Sequence, residues 1–160
     1  ALDYLRLCYK YGIDINLAKN NETIILVDKY CKRVSREAHS FTGFVRFKEI
    51  GPLSYYSVIE PDHNILPIIL RHFTNRFSDQ NFIIHDLKRE KAIVYNTKEA
   101  IITDLTKEQG EKLSNKIDDS DFENLWRTFY NSVNIEERKN HKCRNQHMPR
   151  RYWKHLTELQ

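Results

Sequence analysis

A chain of 160 residues with 40% hydrophobic side chains has the size and composition of one globular domain, which excludes the disordered and collagen-like classes. Its net charge of +4 is mildly basic, and no apolar run approaches the roughly 18 residues that span a bilayer. Three distant cysteines without a C-x-x-C pair favour reduced thiols in a cytoplasmic protein. We expect a single α+β domain over residues 1–160. Because the chain begins at Ala1 and its one methionine is Met148, we expect the full-length protein to carry a further N-terminal segment.

Two helices are predicted at the start of the chain. Leu2, Leu5 and Tyr9 share one helical face, and Gly12 follows them as a stop signal. Apolar residues then recur at helical spacing within "NNETIILVDKYCKRVSREAHSF", which predicts a second and longer helix over about residues 22–40.

The middle of the chain has the pattern of a sheet. "GFVRFKEI" and "LSYYSVIE" are short β-rich segments joined at "GP", and "NFIIHDL", "KAIVYN" and "EAIITDL" follow with short polar turns. A helix of about 12 residues is predicted between the second and third strands, in "NILPIILRHFTNRF". Because connections as short as these turns do not make parallel crossovers, we predict an antiparallel meander of about five strands, packed with N-terminal and C-terminal helices.

Two helices are predicted near the end of the chain. In "SDFENLWRTFYNSV", Ser120 and Glu123 have capping-box spacing, and apolar residues follow at helical spacing. "NIEERKNHKCRNQ" predicts another helix that ends at Met148 and Pro149, because a proline disfavours helical geometry in the residue before it.

Candidate catalytic residues follow two of the predicted strands. Glu60, Asp62 and His63 lie in "EPDHNILP", where a carboxylate beside an imidazole can move protons or activate a water. His85, next to Asp86 in "IHD", ends another strand and is the fourth candidate. The alternative is that Asp62 and its neighbours only form a turn and the start of the next helix.

Metal and cofactor chemistry is not expected. His141, Cys143 and His147 in "HKCRNQH" offer three ligands where structural zinc normally takes four, and the first two do not share a helical face. With four glycines, the chain has neither G-x-x-x-x-G-K-[ST] nor G-x-G-x-x-G for binding nucleotides. We therefore predict no metal and no cofactor.

A basic C-terminal stretch, "ERKNHKCRNQHMPRRYWKH", suggests contact with a polyanion. Arg46, with Phe44 beside it, would meet bases or sugars. The alternatives are that Phe44 belongs to the core, and that Trp153 and Leu156 anchor the tail and leave its cations in solvent. For the tail both can hold, because Trp153 can anchor a segment whose charged groups still face DNA. The residues expected to neutralise phosphates are Arg144, Arg150, Arg151 and Lys154.

Three segments carry a resemblance: "REAHSFTGFVRFKE", "IEPDHNILPIILRHFTNRFSDQNFIIHDLKRE" and "IEERKNHKCRNQHMPRRYWKHLTE". Over roughly residues 25–158 the chain resembles a bacterial domain family of unknown function that is associated with DNA metabolism and repair. Members of that family are fused to uracil-DNA-glycosylase-like domains or encoded beside a radical-SAM protein of presumed repair function. Since this chain has neither the glycosylase motifs nor the radical-SAM cysteines, the resemblance implies a companion of such an enzyme.

Three functions remain open after the sequence alone. The first is an accessory module of DNA metabolism or repair that binds single- or double-stranded DNA and works with a repair enzyme. The second is a hydrolase or lyase that acts on a modified base through Glu60, Asp62, His63 and His85. The third is a non-catalytic protein-interaction subunit. Whether the chain is an enzyme is left undecided.

Overall fold

A computed structural model describes residues 2–114, Thr128 and residues 140–159. The predicted amphipathic helix over 120–133 falls outside the described residues, except for Thr128. Within the described part of the chain, no helix has the length and apolar character that crossing a membrane requires.

The N-terminal region is helical, as predicted. α1 spans Leu2–Tyr11, a 3₁₀ helix spans Gly12–Leu17, and α2 spans Glu22–Phe44. α2 begins where the Asn21 side chain accepts hydrogen bonds from the backbone N–H groups of Thr23 and Ile24, which otherwise have no partner within the helix.

Five strands form one mixed sheet in the order β1-β2-β3-β4-β5. Their bounds are Lys48–Gly51 for β1, Ser54–Ile59 for β2, Asn81–Asp86 for β3, Lys91–Asn96 for β4 and Ala100–Asp104 for β5. The α+β class and the five sequential strands are confirmed.

The prediction that every strand pair is antiparallel was wrong for one pair. β2 and β3 are parallel, with Ser54 opposite Asn81 and Ile59 opposite Asp86, whereas the other three pairs are antiparallel. The cause is α3, Leu66–Arg76, which lies between these strands in the chain and returns it to the end where β2 began. The polar segments after β2 and β3 therefore lie at the same edge of the sheet.

The remaining helices are short. α4 spans Lys107–Ser114 and α5 spans His141–His147, followed by 3₁₀ helices at Arg150–His155 and Thr157–Leu159. α5 begins where the Asn140 side chain accepts a hydrogen bond from the Cys143 N–H, and it ends before Met148 and Pro149, as predicted. The rest of the helix predicted from "NIEERKNHKCRNQ" lies outside the described residues.

The main core lies between one face of the sheet and helices α2 and α3. Phe82 and Ile84 of β3 pack there with Phe41 of α2 and Phe73 of α3, and Tyr152 of the C-terminal segment completes the cluster. Because side chains alternate along a strand, the residues between them point to the opposite face, which α4 approaches.

Candidate functional site

The four predicted catalytic residues do not form one pocket. Glu60, Asp62 and His63 follow β2, but the His85 side chain is fully buried on the face of the sheet near α4. Its Nε2 donates to the Leu105 carbonyl at 2.8 Å and its Nδ1 accepts from the Tyr56 hydroxyl at 2.7 Å. Burial lowers the pKa of His85, which favours the neutral ring. These contacts give His85 a packing role, and its catalytic role stays a prediction.

The centre of the site is Glu37 of α2, a residue absent from the predicted catalytic set. Its Oε1 accepts hydrogen bonds from the Asp62 N–H at 2.7 Å and the Tyr152 hydroxyl at 2.6 Å. Its Oε2 accepts from the His63 N–H at 2.9 Å and from the His63 Nδ1. Burial raises the pKa of Glu37, but the hydrogen bonds from Tyr152, Asp62 and His63 outweigh burial and bring it below its ordinary value. Glu37 is therefore a carboxylate at neutral pH.

The Glu37 carboxylate fixes the state of the His63 ring. Because an ionised carboxylate only accepts hydrogen bonds, the His63 Nδ1 must carry the proton that it donates. The second ring nitrogen, Nε2, then carries no proton in the neutral ring and can accept one. The His63 side chain is 36% exposed, whereas that of Glu37 is 7% exposed. A buried carboxylate thus orients an imidazole that solvent can reach.

Arg89 holds the loop that carries His63. Its guanidinium donates to the Pro61 carbonyl at 3.0 Å and to the Asp62 carbonyl at 2.6 Å. It also donates to the Asp86 carboxylate at 2.9 Å. Asp86 is fully buried at the end of β3. The loop after β2 is therefore fixed from two sides, by Glu37 of α2 and by Arg89 after β3.

The C-terminal segment brings a cation to the same loop. Arg151 donates to the Tyr152 hydroxyl at 2.9 Å and forms an ion pair with the Asp62 carboxylate at 3.0 Å. Its side chain remains half exposed. Tyr152 therefore connects the tail to Glu37, and Arg151 connects it to the loop.

A cleft of about 340 Å³ lies between α2, the loop after β2 and the C-terminal segment. Two carboxylates face it, Glu37 and Asp62, and both are paired as described above. Within the described residues, no ion pair is found for Arg33 or Arg36, which are exposed on α2. We call this feature the basic cleft, after its basic lining residues Arg33, Arg36, His63, His147 and Arg151.

Arg46, predicted to bind nucleic acid, is used for packing. It donates to the Glu158 carboxylate at 2.6 Å and 3.2 Å and to the Gly43 carbonyl at 2.7 Å. The Arg46 and Glu158 side chains are only 12% and 4% exposed. The pair ties the end of α2 to the tail, so Arg46 offers little surface to a nucleic acid, and its binding role stays a prediction.

The tail packs on the domain and keeps its cations at the surface. Leu156 is fully buried, while Trp153 is partly buried and donates its Nε1–H to the Met148 carbonyl at 2.9 Å. The guanidinium groups of Arg144 and Arg150 lie 4.8 Å and 5.6 Å from the centre of the Trp153 ring. Lys154 forms an ion pair with the Glu60 carboxylate and is exposed. That Arg144, Arg150 and Lys154 contact phosphate stays a prediction.

Phe44, which was expected to meet bases or sugars, and the nearby Phe47 contribute to the core. The Phe47 ring makes edge-to-face contacts with the rings of Phe73, Phe77 and Phe82, at centroid distances of 5.2–5.9 Å. Phe44 packs against Phe41 and Tyr152. Their sequence pattern is therefore explained by packing.

The sequence did contain one signal for the missed centre. Val34, Ala38 and Phe41 form the apolar stripe of α2, and Glu37 lies on that stripe. Because a charged residue at a buried helical position needs a partner, its position points to a polar contact with another part of the chain.

No group of three or more histidine, cysteine, aspartate or glutamate side chains is placed to hold a metal ion in the described part of the chain. The three residues considered for zinc, His141, Cys143 and His147, all lie on α5.

Comparison with known proteins gives a family. Neither the curated proteins nor the solved structures contain a significant match. A family model described as a domain of unknown function, DUF4130, matches residues 1–158, and the chain therefore belongs to that family.

Proposed function

We propose that this chain is a cytoplasmic accessory module of DNA metabolism or repair that binds nucleic acid and works with a separate enzyme. The observation that carries the proposal is the basic cleft. Its two acidic side chains already have partners, whereas two of its cations, Arg33 and Arg36 on α2, form no ion pair within the described residues.

The spacing of these arginines suits a phosphate backbone. Arg33 and Arg36 lie one helical turn apart and line one wall, while Arg151 lines the other. A guanidinium group presents several N–H donors in one plane and binds two phosphate oxygens at once. Phosphate contacts of this kind supply the sequence-independent part of nucleic-acid affinity.

The tail adds cations beside the basic cleft. Arg150 and Lys154 belong to the same 3₁₀ helix as Arg151, and both are exposed. Tyr152, which is buried in the same helix, fixes the position of the segment. A segment with a packed aromatic anchor and surface cations is arranged to contact phosphate without unfolding.

The link to DNA repair rests on the resemblance of the sequence to a family associated with DNA metabolism. Partners of that family suggest the enzyme with which this module works, either a uracil-DNA-glycosylase-like domain or a radical-SAM repair protein. The proposal therefore predicts a complex between this chain and such an enzyme on DNA.

Binding to labelled single-stranded and duplex DNA between about 50 and 300 mM salt tests the first step. We expect log affinity to fall linearly with log salt, and Arg33→Gln/Arg36→Gln to reduce the slope by about 2, since each lost phosphate contact removes about 0.9 on duplex DNA. Arg71→Gln/Arg76→Gln is the control, because both arginines are exposed on α3 outside the cleft. Equal slopes for the two double variants, or no binding by the wild type at low salt, would reject the proposal.

A further inference from the structure

We propose that the basic cleft also hydrolyses a phosphodiester of the bound strand, with His63 as the proton acceptor and Glu37 as its positioning residue. The inference rests on the proposed function, since the bound nucleic acid supplies the substrate. It adds a reaction that the sequence motifs do not indicate.

The first support is the geometry of the Glu37 and His63 pair. Glu37 Oε2 accepts from both the backbone N–H and the Nδ1–H of His63, which fixes the tautomer and the direction of the ring. A base that is itself oriented by a third group is the arrangement by which hydrolases activate a nucleophile. The backbone N–H groups of Asp62 and His63 already anchor the loop to Glu37. The contact of Glu37 with the His63 Nδ1 is additional, and it acts on the ring.

The second support is the surroundings of His63. Its side chain lines the basic cleft together with Arg33, Arg36 and Arg151. A phosphodiester bound to these guanidinium groups would have its negative charge stabilised as a fifth oxygen approaches phosphorus. The base and the groups that stabilise the developing charge thus lie in one cavity of about 340 Å³.

The third support is a second histidine in the same cavity. His147 ends α5, is exposed and lines the basic cleft. In its protonated form it donates the proton that a leaving oxygen needs. One imidazole that accepts a proton and one that donates it together form a general acid–base pair for ester hydrolysis.

The step balances with water as the only co-reactant. A water oxygen forms a bond to phosphorus while its proton goes to the His63 Nε2. The bond from phosphorus to the leaving ester oxygen breaks, and that oxygen takes a proton from His147. The products are a phosphate monoester end and a hydroxyl end, and proton exchange with solvent restores both histidines.

The test uses the whole chain with fluorescein-labelled oligonucleotides of one sequence, as single-stranded DNA, duplex DNA and RNA. We expect the wild type to cleave at least one of them. His63→Asn should lower the rate by about 10²–10⁴-fold, because asparagine keeps a donor for Glu37 but lacks Nε2. Thermal unfolding of each variant shows whether the fold is kept.

Glu37 is tested by the shape of the pH profile. Glu37→Gln should lower kcat and shift its dependence on pH, since an amide cannot fix the Nδ1–H tautomer, and Glu37→Asp should restore part of the rate. A loss of folding alone would lower the active fraction without moving the profile.

The possible outcomes separate the two proposals. If the wild type binds DNA but cleaves none of the three oligonucleotides, the hydrolysis inference is wrong and the binding proposal stands. If His63→Asn cleaves as fast as the wild type, the inference is also wrong. If the wild type does not bind at all, both proposals fail together.

Discussion

Removing the hydroxyl group of Tyr152 tests whether the contact between the tail and Glu37 stabilises the protein. In Tyr152→Phe the ring keeps its packing, including the edge-to-face contact with Phe41 at a centroid distance of 4.9 Å. The variant loses the hydrogen bond that the hydroxyl donates to Glu37 at 2.6 Å and the one that it accepts from Arg151. Burial, followed by the bond to Glu37, raises the pKa of Tyr152, so the hydroxyl remains protonated and continues to donate.

The expected loss follows from the charge of the acceptor. A hydrogen bond to a charged group contributes about 1.5–3 kcal/mol, against about 0.5–1.5 kcal/mol for a neutral pair. Because Glu37 is 7% exposed, water cannot easily replace the lost donor. We expect a loss of about 2 kcal/mol, which lowers Tm by about 4–8 °C for a chain of this length.

Tyr95→Phe is the matched control. Tyr95 is also buried, but its hydroxyl donates to the neutral Ser78 carbonyl at 3.1 Å. Urea unfolding at pH 7 should give a loss for Tyr152→Phe that is about twice that for Tyr95→Phe. Equal losses would refute the argument that the charge of Glu37 strengthens its contact with the tail.

The dependence on pH adds an independent check. The folded-state pKa of Glu37 lies below its ordinary value of 4.5, so its stabilisation is present above about pH 4.5 and is lost as the pH falls through the folded-state value. Since Tyr152→Phe removes one bond that lowers this pKa, the variant has less stability to lose on acidification. The difference between the two proteins should therefore shrink below pH 4.5, and a constant difference would contradict the assignment.

Two further substitutions test the packing elsewhere in the domain. A Cβ at Gly110 would lie 2.5 Å from both His85 Nδ1 and the Tyr56 hydroxyl oxygen. Gly110→Ala should therefore lower the free energy of unfolding, measured in urea, by about 1–3 kcal/mol. The clash should outweigh the preference of a helix for alanine over glycine, which is about 1 kcal/mol. A more stable variant would contradict the close contact. Arg46→Ala should cost about 3–5 kcal/mol by leaving the buried Glu158 carboxylate without its cationic partner. A double-mutant cycle with Glu158→Ala should show strong coupling, whereas additive losses would contradict the argument.

The sequence pattern was sufficient for most elements of the fold. Apolar periodicity located α2 and the alternating β-rich segments, because those signals depend on neighbours within a few residues. The direction of β3 relative to β2 was not predicted correctly. Strand direction depends on where α3 packs. The alternation of apolar and polar residues within a strand does not show whether its neighbour runs parallel or antiparallel to it.

The site was only partly accessible from the sequence. Asp62 and His63 were identified because they lie together after a strand, but Glu37 lies 26 residues before His63 and 115 residues before Tyr152. Such contacts form only when α2 and the tail pack on the same loop. Arg46 is a second case of a contact that the sequence does not reveal, since its side chain pairs with Glu158, 112 residues away in the same chain.

The structure also changes how the basic tail is interpreted. Packing of this segment is compatible with the proposed phosphate binding, because different residues of the tail would take the two roles. Tyr152 is buried against Glu37, and that contact places Arg151 on the wall of the basic cleft. The part of the basic cleft that the C-terminal segment lines consequently depends on docking of the tail. A variant that releases the tail should therefore lose phosphate contacts from Arg151 together with stability, whereas Arg33→Gln/Arg36→Gln should lose contacts alone.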